Sequence, residues 1–207
     1  MARSFNGAEY IQRTIPALSP PFTLAGWFKA NSLGGNRAVV GLGISGTYHR
    51  HDLTIVGSAV RSISTDGTNG PAATSSTTAT VGTWNHAAGV WTTSTSRAAY
   101  LNGGGKGTNS GFSNTAGVTT AAIGAIIFLS SFGEGMDGDI GETAIWTVAL
   151  TDEEVATLAR GVSPTLVRPQ SLLYYVPLVR DLKDHKTPGL LTPLGTTITP
   201  HSRIILP

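Results

Sequence analysis

Cysteine is absent from this chain of 207 residues, so neither disulfides nor thiolate chemistry can operate in it. Charge is also scarce: 13% of the residues are charged and the formal net charge is +2. A balance this close to neutral does not indicate nucleic acid as a partner. No apolar run approaches the length needed to cross a membrane. We therefore expect a protein that binds neither nucleic acid nor membrane.

Signals for export are missing as well. The opening residues, MARSFNGAEY, contain no apolar signal core. No Asn-x-Ser/Thr sequon occurs anywhere in the sequence. These absences favour a protein assembled inside a cell over a glycoprotein secreted through the eukaryotic pathway.

Glycine is abundant, with 26 residues, and 11 prolines accompany it in a background of Thr, Ser, Ala and Val. This composition predicts many short strands joined by tight turns. The clearest alternation places Phe22, Leu24 and Phe28 on one strand face and Trp27 on the other. Pro16 is expected to interrupt any regular ladder. The other predicted strands are 4–11, 38–42, 48–55, 59–63, 84–91, 97–101, 121–128 and 140–148.

One helix is predicted, over residues 152–160. Thr151 is suited to cap its first turn, and Glu154 is placed to close a capping box. Gly161 is the expected left-handed stop. Two polar stretches remain: 66–82 is predicted as either a mobile loop or polar edge strands, and 108–118 as a flexible connection.

Three motifs, in this order, carry a family resemblance: SFNGAEYI with PFTLAGWFKA, then TWNHAAGVWTTSTSRAAYLNG, then IGA…FGEGMDGDIGETAIWTVALTDEEVATLARG. Together they resemble a laminin G-like, concanavalin A-type jelly roll. The resemblance implies an all-β fold, a two-sheet antiparallel jelly-roll sandwich with one short helix, over residues 1–164. Such folds host lectins, glycosidases, adhesion modules and virion proteins, so the resemblance does not fix a function.

Beyond Gly161 the sequence is rich in proline and contains the apolar stretches LLYYVPL, LTPLGTTI and SRIIL. Apolar strands left in water are an aggregation liability, so residues 165–207 should pack on the sandwich or on a neighbouring chain. The candidate attachment or oligomer residues are Leu172, Tyr174, Tyr175, Ile204 and Ile205. The tail also resembles the ends of laminin G-like proteins encoded by bacteriophages.

Acidic residues cluster near the predicted strand 140–148. Glu134, Asp137 and Asp139 beside glycines suit a calcium ion, although a solvated turn is the alternative. Asp139 and Glu142 also suggest a glycosidase, which needs two carboxylates facing one cleft. In a regular strand these two side chains would point to opposite faces, which argues against that activity.

Candidate sugar contacts are aromatic and amide side chains in turns and exposed strands. Tyr48, His49, His51, Asn102 and Asn114 form this set, and Asn69 and Asn109 are further loop amides. His49 and His51 share a predicted strand face, where they form either an exposed polar face or a metal pair. His86 is expected to be a hydrogen-bonded core histidine. No nucleophile elbow, phosphate loop or zinc motif is present.

The resemblance of the tail implies a non-enzymatic bacteriophage structural protein, on the head surface as a decoration protein or on a fibre, and the absence of cysteine, sequon and catalytic motifs fits that class. The expected partners are the major capsid protein or other virion proteins and further copies of the chain, with a glycan possible. The expected location is the virion surface after assembly in the host cytoplasm, and no cofactor is expected except possible calcium. The alternative is a carbohydrate-binding module, and a glycoside hydrolase is third.

Overall fold

In the computed structural model, the described residues are 2–68, 70–178, 184–186 and 192–199. They form two large antiparallel sheets with one α-helix, as the sequence predicts. No helix in these ranges is both long and apolar enough to cross a membrane.

The strands are β1 (Ala2–Asn6), β2 (Tyr10–Leu18), β3 (Phe22–Ala30), β4 (Asn36–Gly43), β5 (Arg50–Val56), β6 (Ala59–Thr65), β7 (Ala72–Thr78), β8 (Asn85–Thr93), β9 (Ser96–Leu101), β10 (Gly104–Asn109), β11 (Val118–Ile123), β12 (Ile126–Phe128), β13 (Ser131–Gly133), β14 (Asp137–Trp146), β15 (Leu172–Val176), β16 (Thr192–Leu194) and β17 (Thr197–Thr199). The α-helix α1 spans Asp152–Ala159, and a 3₁₀ turn spans Pro164–Leu166.

The eight-stranded sheet has the order β10-β9-β8-β3-β14-β1-β17, and β15 also pairs with β14. The seven-stranded sheet has the order β16-β2-β11-β4-β5-β6-β7. The small hairpin β12–β13 contacts β4 from outside the pair of sheets. This arrangement is a two-layer sandwich in which each sheet turns one face inward.

The inner core lies between the two sheets and is filled by alternating residues of both. Phe22, Leu24 and Phe28 of β3 belong to it, and Trp27 lies on the opposite face as the alternation predicts. Phe22 stacks on Trp91 of β8 with ring centroids 4.8 Å apart. Period-2 alternation therefore determines which side chains of each strand build this core.

The outer face of the eight-stranded sheet carries a second apolar cluster covered by α1. Thr151 Oγ1 accepts a hydrogen bond from Glu154 N at 3.3 Å, and Glu154 Oε2 accepts one from Thr151 N at 2.8 Å. This closes the predicted capping box, and Gly161 follows the helix with φ +89°. Val155 and Leu158 of α1 pack into the cluster. The helix is thus present where the sequence predicts it.

Two details of the first strands differ from the prediction. Residues 4–11 are not one strand, because the turn at 7–9 separates β1 from β2. Pro16 lies within β2, where Thr14 pairs with Thr120 and Leu18 with Val118. Three residues of β2 therefore oppose one of β11, and proline is tolerated in such a bulge.

The tail residues predicted to attach a partner are buried in the domain's own layers. β15 pairs with β14, placing Tyr174 in the inner core and Leu172 and Tyr175 in the outer cluster. All three are less than 5% exposed. They are therefore unavailable to another chain in this fold, whereas Ile204 and Ile205 lie outside the described residues.

Tyr174→Ala should lower the free energy of unfolding by about 3–5 kcal/mol, because it empties an aromatic site in the inner core. Leu166→Ala is the matched control, since Leu166 is 56% exposed and should change stability by less than about 0.5 kcal/mol. Urea denaturation of both variants measures the difference. Equal stabilities would show that β15 is not part of the folded core.

Candidate functional site

Two exposed aromatic side chains meet at one end of the sandwich. Tyr48 is 42% exposed and Phe128 is 40% exposed. Their rings make an edge-to-face contact with centroids 5.0 Å apart. Leu129 N donates a hydrogen bond to Thr47 O at 3.1 Å, joining the β4–β5 loop to the β12–β13 turn. The aromatic pair therefore projects from two segments that are tied together.

Glycines in β4 allow the hairpin that carries Phe128 to lie directly on the seven-stranded sheet. A Cβ at Gly41 would lie 2.7 Å from Ala125 O, and one at Gly43 would lie 2.9 Å from Ile127 Cβ. Only glycine permits such a close approach of backbone to backbone. Ile127 is buried beneath the hairpin. Its neighbour Phe128 is consequently left at the edge, facing solvent.

A second loop supports the aromatic pair. A Cβ at Gly67 would lie 3.0 Å from Tyr48 Cβ, so the Tyr48 side chain rests against the turn after β6. Asp66 Oδ1 accepts a hydrogen bond from Thr68 N, and Asp66 Oδ2 accepts one from Asn114 N, both at 3.0 Å. We call the loops 44–49, 66–68 and 110–117, together with Phe128, the loop rim.

A buried ion pair stands behind the rim. Arg50 Nε donates to Asp52 Oδ2 at 2.8 Å. The Arg50 guanidinium lies 5.5 Å from the centre of the Phe128 ring, within the range of a cation–π interaction. Burial raises the pKa of Asp52 to about 7, an effect that Arg50 opposes. These contacts fix the base of the Phe128 ring from below.

Of the predicted sugar contacts, Tyr48, His49 and Asn114 lie on the loop rim. His51 does not, because it is 2% exposed and faces the inner core. Its Nδ1 lies 2.9 Å from Ser64 Oγ. Desolvation lowers the pKa of His51 to about 3, so it remains neutral. A surface ligand cannot reach this ring, and the shared exposed face predicted for His49 and His51 is wrong.

Asn102 has a structural role at the opposite end of the sandwich. Its backbone has φ +54°, its Oδ1 accepts from His86 N at 2.8 Å, and its Nδ2 donates to Asn85 Oδ1 at 3.2 Å. Asn109 Oδ1 accepts from an arginine at 2.6 Å. Both amides are therefore used by the fold, and Asn69 lies outside the described residues.

Phe128 was not among the predicted sugar contacts, because the sequence predicts one continuous buried strand over residues 121–128. In the structure β11 ends at Ile123 and β12 begins at Ile126. Gly124 between them has φ +81°, which breaks the strand and turns the chain onto the outer face. Gly124, followed by Ala125, is the sequence feature that could have indicated this break.

The three predicted calcium ligands, Glu134, Asp137 and Asp139, each have a protein partner. Asn36 Nδ2 donates to Glu134 Oε1 at 3.0 Å, and Asn31 Nδ2 donates to Asp137 Oδ1 at 2.9 Å. Lys29 Nζ lies 3.5 Å from Asp139 Oδ2. Within the described ranges, no three His, Asp or Glu residues are grouped so that they could hold a metal ion. Calcium binding here stays a prediction.

The parity argument that separated Asp139 from Glu142 is wrong, because β14 contains a bulge. Gly141 pairs with Trp27 and Ala144 with Ala25, so Glu142 and Thr143 together oppose one residue of β3. Glu142 has φ +53°. The bulge shifts the alternation by one residue, so the side chain of Glu142 lies on the same outer face of the eight-stranded sheet as that of Asp139.

Glu142 lines a small pocket beside the end of α1. Trp27 and His86 also line this pocket. Tyr175 Oη donates to Glu142 Oε2 at 2.5 Å. Within the described structure, Glu142 Oε1 and His86 Nδ1 are buried without a hydrogen-bond partner. The prediction for His86 is confirmed for burial only, because the ring lies on the outer face of the eight-stranded sheet and its Nδ1 lacks the expected hydrogen bond among the described residues.

Burial changes the protonation of both side chains in this pocket. Desolvation raises the pKa of Glu142 to about 7, although the Tyr175 hydroxyl opposes that change. Desolvation also lowers the pKa of His86 to about 3, so that ring is neutral. A carboxyl of this kind can hold or release a proton near neutral pH. Its access is restricted, since Glu142 is 6% exposed.

If the turn at 134–139 binds calcium, the melting temperature of the protein should rise by several degrees between excess chelator and millimolar calcium, because a ligand of the native state stabilises it. Asp137→Asn should abolish that rise, whereas Asp66→Asn on the loop rim should preserve it. Thermal melts followed by circular dichroism provide the measurement. An unchanged wild-type melting temperature excludes the site.

Glu142→Gln should flatten the pH dependence of stability. The folded-state pKa of Glu142 is raised to about 7 from 4.5, so its stabilising contribution is present at low pH and is lost as pH rises through this window. Relative to the variant, the wild type should lose roughly 2–3 kcal/mol between pH 4.5 and 8, as one pKa unit is about 1.4 kcal/mol.

Urea denaturation at several pH values measures this effect. Glu153→Gln is the matched control, because Glu153 is exposed on α1 and its replacement should leave the pH dependence of the wild type in place. Parallel stability curves for wild type and Glu142→Gln would contradict the prediction.

Comparison with known proteins agrees with this fold. A family model described as the concanavalin A-like lectin/glucanases superfamily, of the laminin G type, matches residues 5–156. A search of curated protein sequences finds no significant match. The family match therefore rests on the segment that contains most of both sheets and the start of α1.

Solved structures share the architecture at low sequence identity. A Bacteroides ovatus protein, provisionally described as carbohydrate-binding, has 18% identity and a TM-score of 0.67, covering 99% of this chain and 62% of its own. A heptameric SAP-like pentraxin from Limulus polyphemus has 19% identity and a TM-score of 0.59, covering 76% and 81%.

The CBM40 domain of the Ruminococcus gnavus IT-sialidase, solved with α2,3-sialyllactose, has 17% identity and a TM-score of 0.58, covering 77% of this chain and 98% of its own. At these identities the likeness concerns the fold alone. With the family match over most of its length, this chain belongs to the laminin G-like branch of the concanavalin A-like lectin/glucanases superfamily.

Proposed function

We propose that this protein is a non-catalytic glycan-binding domain whose binding surface is the loop rim. The observation that carries the proposal is the Tyr48–Phe128 pair, two aromatic rings about 40% exposed and in contact with each other. The apolar faces of sugar rings pack on aromatic side chains, and flanking polar groups hold the hydroxyls. At the rim, His49 and Asn114 provide such groups.

The backbone of the rim is fixed before any ligand arrives. Asp66 ties two of its loops together, and the Arg50–Asp52 ion pair lies beneath the Phe128 ring. A preorganised surface loses less conformational freedom when it binds, which leaves more of the contact energy for affinity. The sialyllactose complex of the CBM40 domain shows that a related fold binds a sugar, which supports the proposal.

We propose no glycosidase activity, because the two carboxylates on the outer face of the eight-stranded sheet, those of Asp139 and Glu142, already have protein partners. Asp139 is paired with Lys29, and Glu142 accepts from Tyr175 within the covered pocket. A glycosidase requires two carboxylates that flank the same glycosidic bond. These groups line no open cleft together among the described residues, which supports a binding role.

A virion-surface role is a second proposal, supported by the resemblance of the tail to those of phage-encoded laminin G-like proteins. It is compatible with glycan binding, because a decoration or fibre protein can expose the loop rim on a particle. In that case capsid proteins are its partners. The heptameric pentraxin has a related fold, which supports a homo-oligomer.

The binding test uses the full-length protein on immobilised β-glucan, xylan, galactan, arabinan and α2,3-sialyllactose. We expect the wild type to bind at least one of them. Tyr48→Ala and Phe128→Ala should each weaken that binding by about tenfold or more, corresponding to about 1.4 kcal/mol. The supernatants should contain no released sugar.

Val81→Ala is the matched control, because Val81 is an exposed apolar side chain (49%) in the loop before β8, away from the rim. Its binding should equal that of the wild type. The proposal fails if the wild type binds none of the probes, or if both rim variants bind as tightly as the wild type while remaining folded.

A further inference from the structure

A third exposed aromatic side chain lies on the same loop rim. Phe112 is 55% exposed and belongs to the connection between β10 and β11. This connection crosses from one sheet to the other at the end of the sandwich that carries Tyr48. A large apolar side chain left this far in water contributes little to folding, so the inner core does not explain its presence.

The backbone on both sides of Phe112 is held in place. Ser113 N donates to Ser94 O at 3.2 Å, and a Cβ at Gly111 would lie 2.7 Å from Pro71 Cβ. Farther along, Thr115 Oγ1 donates to Thr65 O at 2.6 Å. The segment that the sequence indicates as flexible is therefore fastened, and Phe112 projects from a fixed position.

Polar groups connect Phe112 to the aromatic pair. Asn114, two residues after Phe112, donates its backbone N–H to Asp66 Oδ2 at 3.0 Å. Gly67, the next residue after Asp66, contacts the Tyr48 side chain. The rim thus has an aromatic pair at one end, a polar stretch of Asp66 and Asn114 in the middle, and a single aromatic ring at the other end.

The geometry points to a binding surface for an extended oligosaccharide rather than for one terminal sugar, with Phe112 as a distal stacking position. This inference rests on the proposed glycan-binding function and specifies its ligand class. One sugar ring packs on the Tyr48–Phe128 pair, the following units pass the Asp66–Asn114 stretch, and a later ring packs on Phe112. An oligosaccharide suits this order because it repeats an apolar ring face between hydroxyl groups.

A neutral oligosaccharide fits this surface better than a negatively charged one. The side chains of the polar stretch are an amide and a carboxylate, and the carboxylate oxygens of Asp66 already accept two backbone N–H groups. Two arginines lie near this stretch. Arg50 is engaged with Asp52, and Arg97 donates to Asn109 Oδ1 and Ser94 O and is 2% exposed. Neither arginine therefore presents a free guanidinium to a ligand between Tyr48 and Phe112.

The test measures affinity along ladders of β-1,3-glucan, xylan and arabinan oligosaccharides, from disaccharide to hexasaccharide, by calorimetry with the full-length protein. For a ladder that binds, wild-type affinity should rise about tenfold or more with chain length. Phe112→Ala should remove this rise, so that the affinity of the variant for a hexasaccharide falls to about its affinity for a disaccharide. Tyr48→Ala should weaken binding at every length.

Leu166→Ala is the matched control, because Leu166 is as exposed as Phe112 (56% against 55%) and lies in the 3₁₀ turn outside the rim. It should retain the full dependence on chain length. A wild type with equal affinity for short and long chains overturns the inference and leaves the proposed function standing. A Phe112→Ala variant whose affinity still rises with oligosaccharide length also overturns the inference and leaves the proposed function standing. A wild type that binds no ladder overturns this inference, and the panel then decides the proposed function separately.

Discussion

Strand β14 is the element on which the rest of this fold depends, because it is buried on both faces and needs partners along both edges. Ile140 and Ile145 enter the inner core, while Ala144 and Trp146 enter the outer cluster. β3 pairs with one edge, and β1 pairs only with the first part of the other. The remaining part of that edge is completed by β15. The tail is consequently a structural requirement of β14, since a buried unpaired backbone is costly.

The covering of the outer face follows from the same requirement. Trp146 Nε1 donates to Val167 O at 2.7 Å, so the segment after α1 is attached to the strand that α1 covers. Tyr175 of β15 then reaches Glu142, the bulged residue of β14. The helix and the 3₁₀ turn thus form one layer over the eight-stranded sheet, to which β15 itself belongs. This layer closes the face on which the two carboxylates lie.

The local signals of the sequence predicted much of this structure. The capping residues Thr151 and Glu154 specified the helix, and alternation in β3 correctly separated Trp27 from Phe28. Such patterns involve residues close in sequence, and their physics is local. Alternation failed at Glu142, because the bulge there is set by pairing with β3 and cannot be read from β14 alone. It also failed for His51, because the polar residues around it in the sequence did not indicate that its side chain faces the inner core.

The candidate site was only partly predictable for a related reason. Tyr48 and Asn114 were identified from residue type and loop position, but what brings them together is the hydrogen bond from Asn114 to Asp66, a contact between distant segments. Phe128 was predicted to lie in a buried strand. Its exposure depends on how closely Gly41 and Gly43 let the β12–β13 hairpin approach β4, which the local sequence does not reveal. Sequence thus indicates candidate side chains, whereas register and close backbone contacts decide which of them share a surface.

The two polar regions of the molecule differ in what the fold leaves available. Around Glu142 and His86, side chains with altered pKa values are covered, and one carboxylate oxygen is already engaged by Tyr175. On the loop rim, hydrogen bonds hold the backbone while aromatic surface stays in water. Altered pKa values alone indicate burial as readily as function. Exposed apolar side chains that adjoin one another, as Tyr48 and Phe128 do, are more typical of an interaction site. The loop rim is therefore the surface on which we propose the glycan site.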